Sequence, residues 1–257
     1  IKTILNDGSR KTNENEIKYK KSIIFIGGSF TQGQGVNDEE TFAYNIQNLQ
    51  DEFKVHNFGV GGYGTYQSFL LLEDILKKTN NHKLIFYFFI EHHLIRNYGE
   101  AKWLGHLSEY AKRNHLFLPY ARLLNNELVR FEPINYLNLP LSDRIVFINK
   151  LQKNFMEFKL RIADNEEKLI FYKILEQMNE ISKKNNSEFI FVNLDSNKNL
   201  RKKIKNKLKN LKVAFFDCQL DLGSGNFTLK DGHPISSAHK FYSDCLYLNL
   251  KKNRYIN

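Results

Sequence analysis

Cysteine is scarce in this sequence: the 257 residues contain only Cys218 and Cys245. Their spacing matches no metal-binding pattern, which excludes a cysteine-ligated metal centre as the basis of function. A disulfide between the two is compatible with the sequence, but we expect two small buried residues instead, because free cysteine is among the most buried residue types.

Long hydrophobic runs and leader segments are missing as well. The apolar run at residues 84–90 is far shorter than the ~20 residues that cross a bilayer, and no signal peptide is visible. We therefore expect no membrane span. The sequence opens at Ile1 rather than Met, so an upstream segment removed from the protein is compatible with it, and both cytoplasmic and extracytoplasmic locations stay open.

Acidic residues are outnumbered: 38 Lys and Arg stand against 28 Asp and Glu, which gives a formal net charge of +10. No basic motif with interleaved aromatic residues is present. We therefore interpret the excess as solvated helix faces and expect no nucleic-acid partner. Much of it lies in short runs: Lys18, Lys20 and Lys21, then Arg201, Lys202, Lys203, Lys205, Lys207 and Lys209.

Short apolar runs alternate with amphipathic stretches, which is typical of an α/β protein with a mainly parallel sheet. The length favours one domain, over residues 21–257, after a polar arm at residues 1–20. Strands are predicted at residues 22–27, 54–58, 84–90, 189–194 and 213–217. Helices are predicted at residues 41–49, 66–78, 166–185, 197–208 and 237–251.

An insertion at residues 97–161 interrupts this alternation. Apolar stretches on both sides of Asn125 predict a hairpin, and a helix is predicted near residues 142–159. Long insertions at the strand ends of α/β enzymes commonly build lids and substrate walls. Whether this one does so, or is a purely structural excursion, stays open.

The first chemical candidate is Ser29, which follows the first strand and two glycines. Such a turn would aim its hydroxyl into the crevice at the carboxyl end of the sheet. The second strand runs into a glycine-rich loop at residues 59–64. That loop can leave backbone N–H groups free to donate to an oxyanion.

The same loop has a second interpretation, because Gly59, Gly61 and Gly64 spell G-x-G-x-x-G between a strand and a helix. A dinucleotide site would need an acidic residue about twenty positions later, and Glu91 ends the next strand 27 positions later. The spacing is long and the motif does not open the fold. A nucleotide-binding oxidoreductase is therefore the less favoured alternative.

Histidines occur at two places that a parallel sheet would bring towards one edge. The third strand ends in Glu91-His92-His93, and Asp231-Gly232-His233 follows the last strand. Histidine is the usual general base at neutral pH, and a carboxylate can fix its tautomer. Together with Ser29, His233 and Asp231 predict a nucleophile, a base and an orienting acid.

At these residues the chain resembles the SGNH (GDSL) hydrolases. Residues 27–31 with Gly33 and Gly35 are similar to the first sequence block of that family, residues 57–67 to the second and residues 231–239 to the last. The resemblance implies a three-layer α/β/α sandwich with a mainly parallel, flavodoxin-like sheet. It also implies site roles: nucleophile Ser29, oxyanion donors Ser29 and Gly62, base His233 and orienting acid Asp231.

The sequence departs from that family in three places. Gly28 stands where the family name has Asp, and Asp231 precedes the histidine by two residues where many members have three. The third block normally supplies an Asn as another oxyanion donor, and His92 takes its place here. Metal binding by Glu91, His92 and His93 is disfavoured, since neighbouring side chains in an extended segment point to opposite faces. His239 is expected to pack or to cap a helix.

The implied activity is acyl transfer through a covalent serine intermediate, with no cofactor and no metal. The resemblance indicates a bacterial esterase or O-acyltransferase that acts on a small acyl ester of a carbohydrate or glycoconjugate. A catalytically degenerate domain that only binds glycan is the alternative that the missing Asn suggests.

Overall fold

The computed structural model describes residues 1–13, 19, 21–111, 116–223 and 226–256. The strands in these residues are β1 (Ser22–Gly27), β2 (Lys54–Gly59), β3 (His82–Ile90), β4 (Leu118–Leu124), β5 (Glu127–Ile134), β6 (Glu188–Asp195) and β7 (Ala214–Asp217). The helices are α1 (Ser29–Gln32), α2 (Phe42–Leu49), α3 (Thr65–Lys78), α4 (His93–Asn97), α5 (Ala101–Tyr110), α6 (Val146–Leu160), α7 (Glu166–Lys184), α8 (Lys198–Asn210) and α9 (Ser236–Lys252).

Five of the strands form one parallel sheet in the order β2-β1-β3-β6-β7. This is the flavodoxin-like order, so the predicted α/β class and mainly parallel sheet are confirmed. The strands and helices predicted from the alternating pattern are all present, with ends shifted by two residues or fewer. They were predictable because these strands are short apolar runs, as expected for strands buried on both faces.

The chain divides into two compact units. The first comprises Ile1–Tyr63, Leu70–Glu91 and Glu176–Asn257 and contains the parallel sheet. The second comprises Gly64–Phe69 and His92–Leu175. The predicted insertion lies within the second unit, while the proposed single domain over residues 21–257 stays a prediction.

Helices cover both faces of the sheet in the first unit. On one face α2 and α9 contribute Phe42, Ile46, Tyr242 and Leu246 to a core that includes Phe25, Phe88 and Val192 of the strands. The alternate strand residues, such as Ile24 and Phe191, are buried on the other face. There α8 lies beside β7, with Lys205 Nζ 6.0 Å from the Phe215 ring. The helix buries Leu200, Ile204 and Leu208.

The second unit contains the predicted hairpin, in which β4 and β5 pair antiparallel. The predicted helix near residues 142–159 is present as α6. The unit has a small core of its own, formed by Ala101, Leu104, Leu118, Ile134, Met156 and Leu160. Two helices in this unit, α4 and α5, were not predicted.

Cys218 and Cys245 form a disulfide, so the expectation of two free buried cysteines was wrong. Cys218 follows β7 and Cys245 lies on α9, with Cα atoms 5.7 Å apart. That distance is within the range a disulfide requires. The pairing depends on the way α9 returns to the sheet, and the spacing along the chain does not encode it.

The predicted arm at residues 1–20 is described at residues 1–13 and 19, and the rest of it lies outside the described residues. Arg10 forms antiparallel bridges with Ile4 and with Asn57 of β2, and Thr12 Oγ1 donates to the carbonyl of Val55 over 2.8 Å. The described arm therefore runs along the outer edge of β2. In the part of the chain described here, no helix has the length and apolar character needed to cross a membrane.

Candidate active site

Ser29 lies in a tight strand-to-helix turn. β1 ends at Gly27 and α1 runs from Ser29 to Gln32; Gly33, which caps the helix, has a φ of 78°. A Cβ atom on Gly27 would stand 2.3 Å from Thr31 Oγ1 and 2.9 Å from the Phe88 carbonyl oxygen. The turn therefore requires glycine at position 27, and Ser29 stands at the carboxyl end of the sheet, as the sequence predicted.

The end of β2 lies against this same turn. Gly59 pairs with Gly27 in the sheet, and a Cβ atom on Gly59 would stand 2.2 Å from the backbone nitrogen of Gln32. Asn57 joins the two segments, because its Nδ2 donates to the Thr31 carbonyl over 2.9 Å. Its Oδ1 accepts from the N–H of Gly59 over 3.0 Å. Asn57 and Gly59 thus hold α1 in place.

Gly62 lies in the turn that follows β2. The N–H of Tyr63 donates to the carbonyl of Val60 over 3.2 Å, and Gly62 has a φ of 83°. Positive φ at this position is a requirement of a type II turn, which explains the glycine. In the described part of the chain, neither the N–H of Gly62 nor that of Ser29 has an acceptor. Both are therefore available as oxyanion donors.

Packing accounts for most of the G-x-G-x-x-G pattern. Gly59 is required by its approach to α1, and a Cβ atom on Gly64 would stand 2.9 Å from the His93 carbonyl oxygen. Glu91, the acid that a dinucleotide site would use, instead accepts two hydrogen bonds from Asn197, at 2.8 Å from its N–H and 2.7 Å from its Nδ2. Since Asn197 caps α8, Glu91 supports the start of that helix.

Asp231 and His233 lie together in a short loop before α9. The loop is closed by a bond of 2.8 Å from the N–H of Leu229 to the carbonyl of His233. Asp231 Oδ1 accepts from the backbone N–H of His233 over 3.2 Å, and Asp231 Oδ2 lies 3.0 Å from His233 Nδ1. The ring N–H is not aligned with that oxygen for a hydrogen bond, so the second contact is a close ion-pair geometry only.

This loop has an electrostatic consequence for Asp231. The backbone N–H of His233, and after it the imidazole beside the carboxylate, lowers the pKa of Asp231 below its usual value. Asp231 is ionised at neutral pH, and 56% of its side chain is exposed to solvent. Its carboxylate can stabilise a His233 imidazolium, but the surrounding water screens this electrostatic interaction.

The His233 loop lies against the turn at residues 27–33 that carries Ser29, called here the Ser29 turn. The His233 ring meets the ring of Phe30, the neighbour of Ser29, edge to face with centroids 6.1 Å apart. A Cβ atom on Gly35 would stand 2.2 Å from Leu229 Cδ1. In the described residues no hydrogen bond joins Ser29 Oγ to His233. Hydrogen bonds between a nucleophile and its base are often long without substrate and shorten when substrate binds.

His92 and His93, the histidines at the position of the third block, belong to the second unit. His92 precedes α4 at the start of the second unit. His93 is buried, and its burial lowers its pKa well below the ordinary value. Among the described residues, no three His, Cys, Asp or Glu side chains are grouped so that they could hold a metal ion.

His239 is a packing residue. It is fully buried and stacks on Phe42 with ring centroids 5.5 Å apart. Its Nδ1 accepts from the backbone N–H of Phe42 over 3.3 Å. Burial, assisted by the charge of Arg10, lowers its pKa to about 4, so His239 is neutral at physiological pH. Because it is also fully buried in packing, it does not compete with His233 as the candidate general base.

Sequence reasoning missed Arg10. Its side chain is 1% exposed and lies beside Asp38, with Nε 2.6 Å from Oδ1. The guanidinium also donates to the carbonyls of Gln32 over 2.8 Å, Gly33 over 2.6 Å and Val36 over 2.7 Å. The sequence contained no signal for this, because an arginine in a polar arm looks like a solvated residue.

No protein-family model matches this chain, and no curated protein matches it either. Solved structures do match. A member of the lipolytic protein G-D-S-L family from Veillonella parvula is 10% identical, covers 90% of this chain and 99% of its own, and gives a TM-score of 0.54. The structure named TesA is also 10% identical to this chain. The match covers 90% of this chain and 99% of TesA, with a TM-score of 0.51. A protein from Lactobacillus plantarum is 12% identical to this chain. The match covers 92% of this chain and 99% of that protein, with a TM-score of 0.51. The chain therefore has the fold of the G-D-S-L lipolytic structures.

Proposed function

We propose that this chain, whose fold is that of the G-D-S-L lipolytic structures, is a serine esterase of the SGNH type. The observation that carries the proposal is the position of the His233 loop on the Ser29 turn. The His233 ring packs on Phe30, the residue after Ser29, and has the Asp231 carboxylate 3.0 Å from its Nδ1. A hydroxyl, an imidazole and a carboxylate in this order constitute the machinery of acyl transfer.

In the proposed mechanism, Ser29 Oγ attacks the acyl carbon while His233 takes its proton. The negative charge that develops on the carbonyl oxygen is stabilised by the N–H groups of Ser29 and Gly62, which have no acceptor within the described residues. His233 then protonates the departing alcohol. A water molecule, or the hydroxyl of an acceptor, attacks the acyl-serine and regenerates Ser29.

His92 is proposed as the third oxyanion donor. The proposal rests on its sequence position, where SGNH hydrolases have an Asn, and on the ability of an imidazole N–H to donate a hydrogen bond. Removing one such donor typically costs ~10²–10³ in kcat. The size of the loss in a His92 variant therefore measures its contribution.

The substrate is proposed to be a small acyl ester of a carbohydrate or glycoconjugate, with hydrolysis or transfer of the acyl group to a second hydroxyl as the outcome. The support for this substrate class is the family resemblance of residues 27–35, 57–67 and 231–239. Fold alone does not select a substrate. Acetylated oligosaccharides are therefore the first compounds to screen, with and without an acceptor sugar.

The test is covalent labelling with a fluorophosphonate, followed by intact-mass measurement. The probe asks only whether a serine is activated, so it requires no natural substrate. We expect one adduct on the parent chain and none on Ser29→Ala. Ser9→Ala is the matched control, because Ser9 is also buried but lies in the arm, and we expect it to label like the parent.

The two alternatives predict other results. Absence of an adduct on the parent together with retention of acetylated glycan would favour a binding domain without catalysis. Absence of an adduct together with a thermal shift on addition of NAD or NADP would favour a nucleotide site. Either result would overturn the esterase proposal.

A further inference from the structure

Helix α6 of the second unit has two apolar faces, of which only one is buried. The buried face contributes Met156 and Leu160 to the core of that unit. The opposite face exposes large side chains by the following fractions: Phe147 74%, Leu151 54%, Phe155 48% and Phe158 80%. We refer to these four residues as the α6 stripe.

The α6 stripe is continuous along the helix. Its members are spaced by four, four and three residues, so at about 100° per residue they lie within an arc of roughly 80°. A surface helix normally carries charged and polar residues on its outer face. Three exposed phenyl rings and a leucine in one row on that face therefore depart from the ordinary pattern of a surface helix.

Cations border the α6 stripe. Lys150 and Lys159 are exposed and lie on its two sides by helical position. Helix α6 itself has three lysines and one acidic residue, Glu157, which lies on the same side of the stripe as Lys150 by helical position. A row of aromatic and aliphatic side chains bordered by lysines is the pattern of a helix that lies in a membrane interface.

We propose that the α6 stripe docks the protein on the surface of an anionic lipid bilayer. The phenyl rings would enter the boundary between head groups and acyl chains, and the bordering lysines would face lipid phosphates. The attachment would be peripheral, since no helix in the described ranges can span a membrane. The proposal is independent of the esterase assignment.

A second copy of the chain fits the α6 stripe less well. From Phe147 to Phe158 the stripe is ~16 Å long and about one helix diameter wide, which gives a footprint of ~200 Å². Stable protein interfaces bury ~800 Å² on each partner. A two-fold axis through the stripe, perpendicular to the helix, would also bring Lys150 of each copy towards Lys159 of the other.

The basic helix α8 provides a control for simple charge attraction. Lys202, Lys203 and Lys209 are exposed on it, whereas Leu200, Ile204 and Leu208 are buried. It therefore presents cations without an apolar row. If net charge alone brought the protein to a membrane, α8 would contribute as much as α6.

The experiment is co-sedimentation of the full chain with vesicles of phosphatidylcholine alone and of equimolar phosphatidylcholine and phosphatidylglycerol. We expect the parent to bind the anionic vesicles and Phe147→Ser/Phe158→Ser to bind at least ~10-fold more weakly, because two exposed rings are removed. Leu248→Ser is the matched control, since Leu248 is 67% exposed on α9, and should bind like the parent. Lys150→Glu/Lys159→Glu should lose more binding than Lys202→Glu/Lys203→Glu.

Three results would overturn the proposal. The first is equal binding of the Phe147→Ser/Phe158→Ser and Leu248→Ser variants. The second is a parent dimer, seen by light scattering, that only the stripe variant dissociates, which would assign the surface to a second copy. The third is a loss of hydrolysis of soluble p-nitrophenyl acetate that parallels the loss of vesicle binding, which would assign the stripe to the acyl site. Fluorophosphonate labelling of Ser29 tests the esterase proposal separately.

Discussion

Arg10 and Asp38 form a buried ion pair, with Nε 2.6 Å from Oδ1 and side-chain exposures of 1% and 7%. The same guanidinium donates to the carbonyls of Gln32 and Gly33, which end α1. Burial alone would raise the pKa of Asp38, but hydrogen bonds from Arg10 and Thr3 outweigh it and hold the pKa below its usual value. A residue of the amino-terminal arm thus fixes the far end of the turn that carries Ser29.

Replacing Arg10 with Met should therefore weaken both the fold and the nucleophile. It leaves the Asp38 carboxylate buried without its partner, a change that typically costs ~3–5 kcal/mol of unfolding free energy. The carbonyls at the end of α1 also lose their donor, so we expect the fluorophosphonate labelling rate of Ser29 to fall ~10-fold or more. Urea unfolding and labelling of the folded protein measure the two effects.

Lys21→Met is the control for this variant, because it removes the same charge from an exposed side chain. It should change stability by no more than ~0.5 kcal/mol. If folded Arg10→Met labels at the parent rate while being less stable, Arg10 supports the fold without positioning Ser29.

The two members of the proposed acid–base pair should differ in importance. His233→Ala removes the base, and we expect kcat/KM for p-nitrophenyl acetate to fall ~10³-fold or more. Asp231→Asn should cost only ~10–100-fold, because the Asp231 side chain is 56% exposed and the ring N–H is not aligned with it. Equal losses in the two variants would mean that Asp231 fixes the imidazole as a buried triad acid does.

His92 is tested by restoring the residue that SGNH hydrolases have. His92→Ala should lower kcat ~10²–10³-fold, while His92→Asn should stay within ~10-fold of the parent, because an amide N–H can replace the imidazole donor. His106→Ala is the control: it lies on α5 of the same unit and is exposed. A His92→Ala variant as active as His106→Ala would remove His92 from the proposed oxyanion hole.

The parallel sheet and the Ser29 turn were predictable because their signals are local. The run of apolar residues before Gly27 predicts a buried strand, and Gly27 itself is required by a contact with Thr31, four residues away. The pairing of His233 with Asp231 is local for the same reason. These parts of the candidate site could therefore be read from short stretches of sequence.

The missed features depend on residues far apart in the chain. Arg10 contacts Asp38, which is 28 residues further along the chain, and Cys218 is bonded to Cys245, which is 27 residues further along.

Two helices were missed for local reasons. Helix α5 was missed because Gly105 weakens a helix signal, although packing accounts for the glycine: a Cβ atom there would stand 3.0 Å from the Tyr136 ring. Helix α4 has only five residues, too few to show a helical period.

The disulfide encloses the proposed acid–base loop, since Asp231 and His233 lie between Cys218 and Cys245. Closing a loop of this length in the unfolded chain is worth about 3–4 kcal/mol in the chain-entropy model. We expect dithiothreitol to lower the thermal midpoint of the parent. Cys218→Ala/Cys245→Ala should have that lower midpoint already and show no response to reductant. A parent midpoint that reductant leaves unchanged would contradict the pairing.

His239 should make the fold sensitive to mild acid. Burial lowers its pKa to about 4 in the folded chain, whereas an unfolded chain has the ordinary value of ~6.5. Between these values the unfolded state binds the proton and the folded state does not. The contribution of His239 to the unfolding free energy should therefore be constant above pH ~6.5 and fall as the pH drops from there towards 4, by up to ~1.4 kcal/mol per unit for this one proton.

His239→Asn isolates that contribution, because the amide oxygen can accept the hydrogen bond from the Phe42 N–H that Nδ1 now accepts and does not titrate. Urea unfolding at pH 7.5, 6 and 5 should show a shallower fall in stability for this variant than for the parent. Other buried histidines, such as His82, whose pKa burial lowers to about 4, contribute equally to both proteins and cancel in the comparison. Identical slopes would mean that the folded chain admits a proton at His239, and hence that the ring is less enclosed than its packing against Phe42 indicates.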